Sequence, residues 1–395
     1  MITYDQAAEL VAQVARPLGK EMVPLAEGHH RVLAEPVIAQ VDAPPSDVSA
    51  MDGYAVREED LHELPSRLHV AGSSFAGSGT GGILAPGKTV RIFTGAPMPD
   101  GADRVVIQEV VRREGDEAVI DVHPGPARHI RTRGSDFRAG DRLLEAGTVL
   151  GYRQLVACAG ADLSKLSVWR RPSVLVIGTG DELALPGSAR ETPGKIPESL
   201  SFGIAALASD WGADVGKRLR LADELPAMQA AAADALEEAD LVVVTGGASV
   251  GEKDFAKTMF EAEGLEILFS KVAIKPGKPV WLGRARGKFV LGLPGNPSSA
   301  LVTARLFLAP LLAGLSGRSP GSALQWRRQS LLSPLPACGE RETFLRAHSV
   351  QDGVEPESNQ DSGAQSVLAA ADLLIRRRAG APPAETGAAA WVLDF

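Results

Sequence analysis

Four glycine-punctuated turns crowd one stretch of this chain, and three of them carry carboxylates or lysines. The turns read Gly178-Thr-Gly-Asp-Glu182, Thr245-Gly-Gly-Ala-Ser-Val-Gly-Glu-Lys-Asp254, Lys275-Pro-Gly-Lys-Pro279 and Pro294-Gly-Asn-Pro297. The first, second and fourth directly follow short apolar runs, so their backbone N–H groups open at strand ends, where open α/β sheets bind phosphates and other anions. A bare carboxylate 4 Å from a phosphate is repelled by roughly 4 kcal/mol at an effective dielectric near 20. Carboxylates in such a place make sense chiefly when they hold Mg²⁺, directly or through water. Glu182 and Asp254 are the candidate ligands, with Glu252 beside them. Helix capping explains Asp181, Glu182 and Asp254 equally well, because acids in a first turn complement the helix dipole.

Lys275 and Lys278 bracket a Pro-Gly turn that would present two ammonium groups with little entropy to lose, as a cradle for phosphate or another oxyanion; a solvated turn is the plain alternative. Gly178, Thr179, Gly180, Gly246, Gly247, Ser249, Pro294, Gly295, Asn296 and Pro297 supply the candidate substrate-binding backbone and hydroxyls. The dinucleotide fingerprint is absent, because Leu183 stands where its third glycine belongs, and there is no Walker-type loop. The histidines, His29, His30, His123 and His129 among them, lack ligand spacing, and no Ser/His/Asp constellation is legible.

The elements that must position these turns alternate. Residues 174–177, 214–221, 241–245, 266–274, 280–282 and 289–291 read as strands, and 200–208, 225–238, 254–263 and a long segment from Pro297 as helices. Apolar strands alternating with helices predict a mostly parallel sheet covered on both faces. Before it, β-type runs at 68–71, 89–93, 104–111 and 118–122 predict a small all-β unit, with a mobile Gly- and Ser-rich loop over 72–82. Residues 1–16 read as an amphipathic helix, and 133–165, lacking a core of their own, are expected to pack with the N-terminal segment. After Pro320 the pattern is again β.

With 395 residues, 45% of them hydrophobic, the chain should form more than one domain. A net charge of −8 argues against a sequence-independent hold on nucleic acid. Two cysteines, Cys158 and Cys338, make neither a disulfide framework nor a zinc site. No signal pattern and no run of about 20 apolar residues is read, so no membrane association is expected and a cytoplasmic location is.

Taken together, Ser49-Ala-Met-Asp-Gly-Tyr-Ala-Val56, Phe93-Thr-Gly-Ala-Pro-Met-Pro99, Ile130-Arg-Thr-Arg-Gly-Ser-Asp136, Thr179–Leu183, Gly246–Asp254, Lys275–Pro279 and Leu293–Pro297 closely resemble the MoeA family of molybdopterin molybdenumtransferases, relatives of the gephyrin E-domain. Seven motifs in the right order cover nearly the whole chain. The resemblance implies an α/β multidomain fold. A discontinuous elongated domain (1–48 with 132–170) carries an inserted β domain (49–131), followed by a molybdopterin-binding α/β domain (171–318) and a C-terminal β domain (319–395). It also implies an elongated homodimer with the active site between subunits, and Mg²⁺-dependent insertion of molybdate into adenylylated molybdopterin with release of AMP. Further partners it implies are the molybdopterin adenylyltransferase and molybdoenzyme chaperones. Carried onto matching positions, Glu182 and Asp254 resemble the metal and substrate-side carboxylates, and Asp223 a further acid. Lys275 and Lys278 resemble the molybdate or phosphate cradle, Pro294 and Pro297 hold the adjoining loop, and Asp52, Thr94 and Asp136 belong to the partner-side surface. Ile196-Pro-Glu-Ser-Leu200 departs from the family's Asp-Ser-Asn-like string, with Glu198 and Ser199 as stand-ins; molybdate and tungstate both stay open. An adenylyltransferase sharing the α/β domain and a non-enzymatic scaffold of the gephyrin type are the competing functions.

Overall fold

The fully apolar runs of the second half build one six-stranded sheet in a computed structural model that describes residues 1–78, 82–246 and 255–395. Its strands are β1 (Ser173–Thr179), β2 (Asp214–Leu221), β3 (Leu241–Thr245), β4 (Glu266–Ser270), β5 (Trp281–Ala285) and β6 (Lys288–Leu293), in the order β2-β1-β3-β6-β5-β4. The first four in that order run parallel, and β5 and β4 close the edge antiparallel. The register aligns their carboxyl ends. Thr179 pairs with Leu221, Gly178 with Thr245, and Thr245 with Leu293. The residues that leave the sheet next are therefore Gly180, Ala222, Gly246 and Pro294, all at one rim.

Both faces are covered, as continuous apolar strands require. Val174, Val176, Val243 and Leu291 pack under helix α1 (Leu200–Asp210) through Ile204 and Ala208 and under the long helix from Pro297 through Val302 and Leu306. Leu175, Ile177, Val242, Val244 and Trp281 pack against Met228, Ala232 and Leu236 of α2 (Leu225–Glu238). Helix α3 (Pro297–Leu315) contains a π turn at Ala304–Leu308. By length and composition α3 could cross a membrane, but 94% of its apolar window is buried in the protein core. The amphipathic helix Tyr4–Val14 lies in that same core through Tyr4, Ala7 and Val11.

Three further regions surround this domain. Strand Lys20–Pro24 pairs with Lys165–Trp169, and the segment around Val37 with Arg142–Leu144, so the N-terminal stretch and residues near 140–169 share a core of Val23, Leu33, Leu150 and Val168. Between them lies a six-stranded sheet holding strands Gly53–Val56, Ser66–Ser74, Lys88–Ile92 and Arg104–Ile107. Strand Ser66–Ser74 takes in the first residues of the expected 72–82 loop, because Gly72, Ser73 and Ser74 pair with Val90, Arg91 and Ile92. The C-terminal sheet is built on Glu342–Val350, Leu373–Arg377 and Ala389–Asp394, and its edge strand, Ile274–Lys275, comes from the α/β half. The fold is α/β with additional β domains, as the sequence predicts.

Candidate active site

The carboxyl rim of the central sheet opens into a cleft of about 1040 Å³. Its floor is Thr179 and Thr245, the last residues of β1 and β3, with Gly180, Gly246, Pro294 and Gly295 just beyond β1, β3 and β6. This close approach needs glycine at position 246. With φ at +90°, a Cβ there would lie 2.5 Å from the Thr179 carbonyl oxygen. Gly180, with φ at +149°, is constrained by its backbone instead, and the Glu182 carboxylate lies close above it, Oε2 at 2.6 Å from where a Cβ would stand. The exposed Glu182 carboxylate is thus folded back over the Gly180 backbone at the cleft wall.

Asp223 lines the same side. Its N–H donates to Asp181 Oδ1 at 3.0 Å, and Gly180 N–H donates to Leu221 O at 3.2 Å, so the turns after β1 and β2 are tied together. Lys195 also donates to the Asp181 carbonyl. Glu198 is buried, its carboxylate accepting the Ser201 N–H at 2.8 Å and hydroxyl at 2.6 Å. It therefore ties down the start of α1, and Glu198, Ser199 and Leu200 all line the cleft.

Three ammonium groups face these acids: Lys257, Lys271 and Lys278. Lys257, on the short helix Phe255–Thr258, donates to Ser270 Oγ at 3.1 Å and lies 5.8 Å over the Trp281 ring. Lys271 and Lys278 are exposed and, among the described residues, have no carboxylate within ion-pair distance. Lys275 points elsewhere. Pairing with Thr343 in the C-terminal sheet puts it in a neighbouring cleft of about 1090 Å³, lined by Cys338, Arg341 and Arg377 as well, where only Lys278 is shared.

The Pro294–Pro297 turn lies in the cleft, but the start of α3 is a poorer anion seat than its sequence suggests. Pro297 has no N–H, and the Ser298 N–H donates to Ser362 O at 3.0 Å. Asn296 Nδ2 turns to Ser362 Oγ at 3.1 Å rather than capping the helix. The C-terminal domain is thereby drawn into the site. Arg346, 1% exposed, donates to Ser298 Oγ at 2.5 Å and to the carbonyls of Asn359 (3.0 Å) and Ala364 (3.4 Å). Residues 359–365 are held against α3, and Gly363 and Gln365 complete the cleft.

Of the sequence-predicted residues, Thr179, Gly180, Glu182, Asp223, Gly246, Lys278, Pro294, Gly295, Asn296 and Pro297 meet in this cleft. Gly178 lies one residue below its floor, inside β1. Gly247, Ser249, Glu252 and Asp254 lie outside the described residues. Asp52, Thr94 and Asp136 do not line the cleft of their own chain. Asp52 Oδ1 accepts both the N–H and the hydroxyl of Thr94 at 2.8 Å, which holds its carboxyl below the usual range. Asp136 is exposed in the turn that follows Ile130–Arg131. Lys257, Lys271, Gly363 and Gln365 went unnoticed in the sequence. Only Lys271, four residues before Lys275, carried a local signal, as the first of three lysines in eight residues.

Carboxylates facing ammonium groups at the carboxyl rim of a parallel sheet stand where open α/β folds bind their ligands. Comparison with known proteins narrows this. The model of the MoeA N-terminal region (domains I and II) matches residues 2–161, and that of a probable molybdopterin binding domain matches 175–314. The molybdopterin molybdenumtransferase of Haemophilus influenzae is 38% identical over 83% of this chain and 80% of its own. That of Nostoc sp. is 35% identical over 85% and 78%. A molybdopterin biosynthesis MoeA protein from Pyrococcus horikoshii OT3 superposes with a TM-score of 0.84 at 27% identity, over 100% of both chains. The chain belongs to the MoeA family and is, like its curated relatives, a transferase.

Proposed function

We propose that the protein is a molybdopterin molybdenumtransferase of molybdenum cofactor biosynthesis, which inserts molybdate into adenylylated molybdopterin and releases AMP. The observation that carries this is the single cleft in which Glu182 and Asp223 face Lys257, Lys271 and Lys278. In it the lysines offset charge on phosphate and molybdate, while the Gly180, Gly246 and Gly295 backbones allow both anions to approach closely. No covalent intermediate on the protein is required.

Mg²⁺ is part of the proposal. The described residues contain no group of three or more His, Cys, Asp or Glu side chains arranged to hold a metal. An open carboxylate such as Glu182 beside a phosphate site nevertheless suits Mg²⁺, which keeps several waters and takes one or two carboxylates together with substrate phosphates. Glu182 would hold the ion, which when bound neutralises phosphate charge.

The proposal extends to a homodimer of cytoplasmic location, divided at the domain limits given above, in which Asp52, Thr94 and Asp136 are presented to the cleft of a second copy. The separation of these residues from their own chain's cleft supports this arrangement. Incubating the purified protein with adenylylated molybdopterin, Mg²⁺ and molybdate is expected to release AMP. No release under these conditions, with tungstate failing as well, would overturn the proposed activity.

A further inference from the structure

The small β domain carries a cluster of aromatic and charged groups that lies outside the cleft of its own chain. Strands Ser66–Ser74 and Lys88–Ile92 run parallel with Ser74 opposite Ile92, which brings Phe75 beside Phe93 just past their ends. The two rings stack with centroids 4.7 Å apart and planes 11° from parallel. Phe75 is 50% exposed, so the stack presents ring surface to solvent. Behind it the Arg91 guanidinium lies 5.0 Å over Phe93 and 4.9 Å over Tyr54. Arg91 is fixed in turn by the Gly53 carbonyl at 3.1 Å and by Gln108. The next residue after Phe93 is Thr94, whose N–H and hydroxyl both engage Asp52 Oδ1. Asp52 Oδ2 receives no hydrogen bond from a described residue.

Each part has a consequence for recognition. A half-exposed phenylalanine held flat against a second ring, with a cation behind, is a rigid stacking surface rather than a collapsed core residue. A carboxylate oriented through one oxygen leaves the other to accept N–H groups from a ligand. A flat ring whose edge carries adjacent N–H donors fits both. Adenine fits less well, since its amino group stands beside ring nitrogens that only accept and would be repelled by the carboxylate.

We propose that Phe75 is the stacking platform for the pterin ring, with Asp52 accepting from the amino-pyrimidinone edge. This rests on the molybdopterin substrate proposed above and adds where its ring is recognised. The cleft lysines then serve the anionic tail and the oxyanion, and the small β domain selects the heterocycle.

Titration of free pterin by its fluorescence tests this without turnover. Wild-type protein is expected to quench the emission on binding. Phe75→Leu keeps the apolar volume but removes the ring, and should weaken binding at least about fivefold, the low end of stacking on an aromatic side chain. Phe75→Trp should keep the affinity, and AMP affinity in Phe75→Leu should stay within about twofold of wild type. Equal pterin affinity in wild type and Phe75→Leu, no pterin binding by wild type, or a parallel loss of AMP binding would each overturn the assignment. A Phe75-dependent pterin site in a protein that releases no AMP would instead remove the proposed activity and leave the platform standing.

Discussion

The Glu182 carboxylate folds back over the Gly180 backbone at the cleft wall. Removing its charge while keeping its shape is therefore informative. Glu182→Gln is expected to lower Mg²⁺-dependent AMP release by about 100-fold or more and to weaken Mg²⁺ binding in the presence of AMP, measured by calorimetry. An unchanged Mg²⁺ requirement would leave Glu182 with a capping role only. Lys278→Ala removes an ammonium group that has no carboxylate partner among the described residues, so little structure depends on it. Its molybdate KM should rise about tenfold, equivalent to roughly 1.4 kcal/mol, with the fold intact by circular dichroism. The turns after β1, β3 and β6 were legible because glycine, proline and acid in sequence after an apolar run already describe a strand end at an anion site. Lys257 and Lys271 were not, since a lysine on a helix or in a loop reads as surface until the fold brings it to a cleft. Lys275 looked like the twin of Lys278, but backbone pairing with the C-terminal sheet, a contact nearly 70 residues away in sequence, turns it into the second cleft.

At the scale of elements, the alignment of the parallel strands depends on their amino ends as much as on their rims. Asp240, immediately before β3, accepts the Ser173 N–H and hydroxyl at 3.0 and 2.8 Å, and pairs with Arg170 at 2.8 Å and Lys288 at 3.3 Å. One carboxylate thus pins the starts of β1, β3 and β6. Burial alone would raise its pKa, but the guanidinium of Arg170 and the two donors of Ser173 prevail and hold it far below the usual carboxylate range. A carboxyl with a depressed folded-state pKa stabilises the fold fully above its unfolded value, near 4, and loses that contribution as pH falls through the folded value. Asp240→Asn should therefore destabilise the protein by about 2 kcal/mol at pH 7, a figure kept low because Arg170 is 41% exposed. In urea unfolding the gap from wild type should narrow progressively below about pH 4; a gap independent of pH would exclude the ionised carboxylate as its origin. The strands themselves were easily read. The limits expected for strand β2, the alanine-rich helix α2 and the apolar, β-branched β3 are those observed. The expected single strand over 266–274 is divided instead, β4 ending at Ser270 and Ile274–Lys275 joining another sheet. Lys271 lies between them with φ at +61°, a left-handed turn that its side chain does not announce.

Across the whole molecule, the lysine-bearing segment is held by both ends of the chain. Ile2 donates to Lys271 O at 3.2 Å and accepts from Ala273 N–H at 2.8 Å, and Glu342 N–H donates to Ala273 O at 3.0 Å. Arg376 joins these contributors, pairing with Glu342 and, at 2.6 Å, with Asp5, and lying 4.7 Å over the Tyr4 ring. The Arg376 side chain is 14% exposed and that of Glu342 11%, so the pair is screened far less than a surface bridge. Arg376→Met would keep the packing of the stem against Tyr4 but leave the Glu342 carboxylate buried and without its cation, a loss of about 3 kcal/mol. Because the loss falls where the N-terminal helix, the C-terminal sheet and residues 271–275 meet, it should appear first as local opening rather than global unfolding. Amide hydrogen exchange at 272–275 is expected to accelerate at least about tenfold in Arg376→Met while β1 and β3 stay protected. The molybdate KM should rise with kcat little changed, since Lys271 would be displaced rather than removed. Unchanged exchange at 272–275 would mean that the backbone bonds to Ile2 suffice by themselves, and that the ends of the chain do not govern the geometry of the cleft through Arg376.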